Sequence, residues 1–186
     1  VGAVGPIAQV AVAKLVAARK AGMIWPFMHY EIAANCNECH GLAHPKLKGE
    51  VLAKMLDAGH PVESDFELVS FSQGSVRHRF YPPDFSKNAQ MTPAELARLY
   101  VIGQAATLVS ATAAAAKSKH PKYSALQAKR KQNATKNLQA VADLPEVAAL
   151  LKQPSNDNAR KLADALKTKD VSAKVKSLLP AKDAYQ

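Results

Sequence analysis

Two thiols and an imidazole stand within five residues of this chain, in the run Asn35-Cys36-Asn37-Glu38-Cys39-His40-Gly41. A Cys-x-x-Cys-His set can bond both sulfurs to the vinyl groups of one porphyrin while the adjacent imidazole meets the iron. Two intervening residues let the backbone turn beneath the macrocycle, so thioethers from Cys36 and Cys39 fix the group and His40 becomes the proximal ligand. Two other chemistries use the same residue types. A dithiol redox pair belongs at the end of a strand in a βαβ setting, and no such pattern surrounds these cysteines. A zinc site needs four ligands, for which Cys36, Cys39, His40 and His44 are at hand, although adjacent ligands suit a tetrahedron poorly. The chain has only 2 cysteines, so it can build neither a disulfide between distant segments nor an Fe–S cluster. One covalent haem c is therefore the expected cofactor.

The elements that must position this set are helical. Hydrophobic residues make up 48% and aromatics 6% of 186 residues, a composition suited to helix and to one good core. Residues 6–21 read as a helix opened by Pro6 and stopped by Gly22. Residues 23–30, with the only tryptophan, Trp25, carry large apolar groups expected to be buried. A short helical turn over 31–35 leads into the cysteines, and residues 47–58 form a helix ended by Gly59, His60 and Pro61. Residues 66–81 suggest a β-hairpin around Ser72-Gln73-Gly74-Ser75, followed by an extended loop to Gln90. Thr92-Pro93-Ala94-Glu95 is a capping box with Met91 placed as a hydrophobic staple. It opens a helix over 93–117 with Leu96, Leu99, Tyr100 and Gly103 on one face. Candidate helices follow at 122–141, 145–152, 158–168 and 171–179.

The attachment run, and the helix starting Thr92-Pro93-Ala94-Glu95-Leu96-Ala97, resemble the c-type cytochromes, locally the class I kind, over residues 27–110. The resemblance implies a cytochrome c-like monohaem domain, placed over 1–117 with the small β-hairpin; the chain as a whole reads as mostly α, and its basic helical extension over 118–186 has no counterpart in the small class I proteins. It implies electron transfer, by a soluble carrier or an electron-transfer subunit of a larger complex, rather than catalysis. It also implies periplasmic or otherwise extracytoplasmic placement, with a leader already removed.

The sixth iron ligand separates a carrier from a haem enzyme or gas sensor with an exchangeable distal site. The family's Met-Pro ligand loop is not visible here. His78 ranks first, because it precedes Thr92 by about the distance at which the family carries its distal loop, and Met91 ranks second. Met55 sits in an apolar stripe, and His29 could reach a haem edge. His44, His60 and His120 adjoin prolines and read as loop residues. Trp25, Arg77 and Arg79 are the candidate propionate contacts.

Charge is uneven. Residues 1–116 hold 10 Lys+Arg and 9 Asp+Glu, whereas residues 117–186 hold 15 and 6. The cationic segment favours a redox protein partner with an acidic face, or peripheral contact with anionic lipid. Lys129-Arg130-Lys131 is its densest cluster and reads as a solvated helix face. Aromatic residues for base stacking are nearly missing there, so no DNA is expected. A zinc-stabilised basic binding module is the remaining alternative. The helices of the extension should lie against the first domain or a partner.

Overall fold

A computed structural model describes residues 14, 16–18, 20–25, 27–62, 64–73 and 91–185. The fold is all helical, with no strand among the described residues. Its helices are α1 (His29–His40), α2 (Gly49–Asp57), α3 (Leu68–Gln73) and α4 (Pro93–Ala115), then α5 (Pro121–Leu138), α6 (Pro145–Lys152), α7 (Asn156–Ala165) and α8 (Ser172–Val175).

Everything is arranged around α4. Glu95 N–H donates to Thr92 Oγ1 at 3.3 Å while Thr92 N–H donates to Glu95 Oε2 at 2.7 Å, so the capping box satisfies two end donors. Pro93 takes the first helical position. Each face of α4 is then apolar or small, and it is buried nearly all round from Leu99 to Leu108, as befits a helix enclosed by others. It packs against α1, α3, α5, α7 and α8. Gly103 permits the closest of these approaches, because a Cβ there would lie 2.9 Å from Leu68 Cβ of α3.

One cluster of buried side chains runs from Tyr30 and Phe66 through α4 to Leu138, Leu150, Leu162, Leu166 and Val175. The residues after 117 thus share a core with those before it. Two polar ties reinforce the join: Tyr30 Oη donates to Asn156 Oδ1 at 2.7 Å, and Arg160 pairs with Glu31 at 3.0 Å. A smaller cluster sets Leu42, Leu52 and Ala53 against Ala114 and Tyr123, with Met55 half-buried beside them.

Three expectations change. Where the first strand of a hairpin was expected, residues 68–73 are helical; the other arm, 76–81, lies outside the described residues. The physical reason is local. The Glu67 carboxylate accepts from Val69 N–H at 3.0 Å and from Ser70 N–H at 2.9 Å, and so caps a helix start. Leu68 and Val69, adjacent in sequence, are both buried, which a strand with one buried face would forbid. The turn over 31–35 is really a helix that continues through both cysteines to His40. Residues 23–30 are not uniformly buried: Tyr30 is, but Met23, Ile24 and Phe27 are exposed.

The shared core has a measurable consequence. Leu162 is fully buried, so Leu162→Ala should cost about 2–5 kcal/mol. Urea unfolding followed by far-UV circular dichroism should show one shifted transition; two separate transitions would contradict a common core.

A candidate cofactor-attachment site at the end of α1

Cys36, Cys39 and His40 occupy positions i, i+3 and i+4 of the last turns of α1, which places all three side chains on one helical face. Cys36 is half-buried against the main core and Cys39 is exposed; both are free thiols. Burial pushes the Cys36 thiol up from its ordinary value, with Cys39 adding to the shift. In redox Cys-x-x-Cys pairs the attacking thiol is shifted the opposite way. His40 lies on an aromatic seat: its ring stacks on Phe66 at 4.4 Å, 16° from parallel, and meets Phe71 at 5.0 Å. That seat comes from the helical segment α3 and the residues before it, which sequence periodicity read as a strand.

The backbone just beyond His40 is clamped. Gly41 O accepts from Gln127 Nε2 and from Arg130 Nη1, each at 3.0 Å, and Leu42 O accepts from Tyr123 Oη at 3.0 Å. Tyr123, Gln127 and Arg130 are spaced i, i+4, i+7 along α5 and therefore share a face. Leu42 is held at φ +48°, a left-handed conformation costing about 1–2 kcal/mol in a non-glycine residue. Farther along, Lys117 Nζ donates to the carbonyls of His44 at 2.7 Å, Pro45 at 2.9 Å and Leu47 at 3.2 Å. Gly41 must be glycine because a Cβ would overlap the Arg130 guanidinium.

Behind the attachment face lies a buried polar node. Asn37, which separates the cysteines together with Glu38, is 0% exposed and Arg130 is 1% exposed. Asn37 Oδ1 accepts from Arg130 Nη2 at 2.6 Å and from Thr107 Oγ1 at 3.1 Å, while Asn37 Nδ2 donates to Ala33 O at 2.9 Å. Burial lowers the Arg130 guanidinium to about 10, with Tyr123 opposing the shift; it remains a cation at neutral pH. Sequence reading took Arg130 for part of a solvated Lys-Arg-Lys face. Its i, i+3 and i+7 relation to Gln127 and Tyr123 was the available signal.

Comparison with protein-family models, with curated proteins and with solved structures returned no match. The chemistry of the site is therefore argued from its residues.

The other candidates are dispersed. Among the described residues no group of three or more His, Cys, Asp or Glu side chains is gathered to hold a metal ion. In particular His44 turns to Glu38 at 3.5 Å rather than to the cysteines, because the turn at Gly41 and Leu42 carries it off the helical face. Trp25 precedes α1 and stacks on Phe27 at 6.4 Å, at the far end of the helix from the motif, so it is not brought to the site. Met91 packs half-buried against the main core, and its N–H donates to Gln73 Oε1 at 3.3 Å, next to α3. His29 lines a cavity at the start of α1, where burial and then Arg98 and Lys167 lower it to about 4. His120 pairs with Asp57 at 3.0 Å. Arg77, His78 and Arg79 lie outside the described residues.

Removing the clamp should be costly. Arg130→Met would strip donors from Gly41 O and Asn37 Oδ1, and hydrogen bonds to charged groups contribute about 1.5–3 kcal/mol each. We expect a loss of about 3 kcal/mol or more in chemical denaturation, partly recovered by Arg130→Lys. A change within about 0.5 kcal/mol, the range of an ordinary surface substitution, would contradict the clamp.

Proposed function

We propose that the chain is a monohaem c-type cytochrome, cytochrome c-like around α1 and α4, whose function is electron transfer. The observation that supports it most is the attachment set: Cys36, Cys39 and His40 on one face of a helix end, with the imidazole seated on Phe66 and Phe71. When bound, a haem supplies a one-electron iron couple.

Each residue has a part in holding that group. Cys36, half-buried, and Cys39, exposed, would hold it through two thioethers, the exposed member marking the side open to a redox partner. His40 would bind the iron. Phe66 and Phe71 limit the ring's rotation and keep water from its face, and the α5 clamp fixes the backbone immediately after it. A ligand that needs no reorientation keeps electron transfer free of large structural change. The sixth ligand is proposed to come from the segment approaching α4, as His78 or Met91, with Arg77 and Arg79 as propionate contacts.

The exposed side of α5 supports the choice of partner. Lys129, Lys131 and Lys136 are exposed, and no acidic residue occurs between Lys117 and Ala142. Such a field attracts an acidic protein face and weakens with salt. The electron donor or acceptor is proposed to dock there, extracytoplasmically, with the chain acting as a soluble carrier or as one subunit of a larger complex.

Expression in a host with haem-attachment machinery provides the test. The acid-denatured polypeptide should stay coloured and carry one porphyrin's extra mass, and Cys36→Ser with Cys39→Ser should abolish both. Colourless protein with the mass of the bare chain would overturn the proposal. Reduced protein should resist carbon monoxide; immediate binding would favour a haem enzyme or gas sensor instead.

A further inference from the structure

Among the described residues six large hydrophobic side chains are exposed, and four of them fall between residues 16 and 27: Val16 at 62%, Met23 at 51%, Ile24 at 42% and Phe27 at 61%. The remaining two, Leu47 and Val51, lie near the start of α2. Such a concentration, in a protein whose core is otherwise closed, marks an interaction surface. Gly22, at φ +92°, ends the preceding helical turn and sends the chain into this apolar tip. Half-buried Trp25 stacks on Phe27.

Within the segment that carries the tip, the charge is of one sign. The first 30 residues contain Lys14, Arg19 and Lys20 and no Asp or Glu; Lys14 and Lys20 are exposed. Phe27 also forms the rim of a cavity of about 460 Å³ whose walls carry Arg98, Arg160 and Lys167 together with Glu31, Glu95 and Asp164. Arg160 pairs with Glu31 and Lys167 with Asp164, whereas Arg98 Nε is buried without a hydrogen-bond acceptor. The cavity's carboxylates offset its cations, so the positive charge offered to a surface beside the tip is that of Lys14 and Lys20.

We propose that Val16, Met23, Ile24 and Phe27 seat this protein on an anionic phospholipid surface, with Trp25 at the headgroup level and Lys14 and Lys20 facing lipid phosphate. Aliphatic and aromatic tips flanked by lysine insert about 5–10 Å into the boundary between headgroups and acyl chains. Four side chains suffice for that. Among the described residues they are too few to supply the roughly 800 Å² per partner of a stable protein interface. No described helix is long and apolar enough to cross a membrane, and the contact proposed here is peripheral. Because α1 rises about 16 Å from His29 to His40, the cysteine motif stands away from the bound surface. This inference needs no cofactor and is independent of the electron-transfer proposal.

The full chain should cosediment with vesicles of phosphatidylglycerol mixed with phosphatidylcholine. Trp25, as the only tryptophan, should report insertion by a blue shift in emission, and added salt should weaken binding. The combined variant Met23→Ser, Ile24→Ser, Phe27→Ser should bind at least about tenfold more weakly, given the transfer free energy of side chains of this size, with circular dichroism unchanged. Leu47→Ser with Val51→Ser should bind as the parent does, and Lys14→Gln with Lys20→Gln should reduce binding to anionic vesicles only. Three results would overturn the proposal: no cosedimentation, equal salt-independent binding to pure phosphatidylcholine, or self-association lost in the triple serine variant without any vesicle binding.

Discussion

A guanidinium buried at the carbonyl end of α1 is the interaction on which the rest of this structure depends. Arg130 has no carboxylate partner among the described residues. Desolvating a charge costs several kcal/mol even in a relaxed protein. The compensation is geometric: Gly41 O, Asn37 Oδ1 and Gln127 Oε1 accept within 3.0 Å, and the negative end of the α1 dipole lies beside the cation. Remove the helix end and the charge is stranded; remove the charge and the helix end loses its cap. The two must form together.

That mutual dependence explains how a chain with little sequence between its cysteines can hold them in one geometry. α4 supplies the enclosed central helix, α1 and α5 lie against it, and Arg130 of α5 ties to Asn37 of α1 and to Gly41 just beyond it through hydrogen bonds. Apolar packing tolerates sliding by a fraction of an ångström, whereas a bidentate guanidinium does not. The precision sits next to His40, whose imidazole shares the helical face of Cys36 and Cys39. The strained Leu42 has the same origin, since its φ of +48° is enforced by partners on both sides.

Much of this was legible from residue order. Thr92-Pro93-Ala94-Glu95 announced the start of α4, Pro145 that of α6, and Cys36, Cys39 and His40 announced a shared face as soon as their segment was helical. What was not legible has a common cause. Phe66, Leu68, Val69 and Phe71 look like a strand only if one face is solvated; here α4 covers Leu68 and Val69 together, and local capping by Glu67 decides for helix. Arg130 looks like a surface charge beside Lys129 and Lys131, because a run of cations says nothing about which member turns inward. Met23, Ile24 and Phe27 look like core because hydrophobicity does not reveal whether anything in the chain is left to cover them. Each depends on contacts far away in sequence, which local pattern cannot register.

The clamp makes the turn after His40 as rigid as the core, although it lies at a helix end, where backbones usually fray. Native-state hydrogen exchange tests it most directly. The amides of Gly41, Leu42 and Ala43 donate to Asn37, Cys39 and Glu38 carbonyls at 2.9–3.1 Å. If α5 clamps this turn, those amides should exchange only through global unfolding, as slowly as amides in the middle of α4. Exchange at the rate of an open helix terminus, while α4 stays protected, would contradict the account.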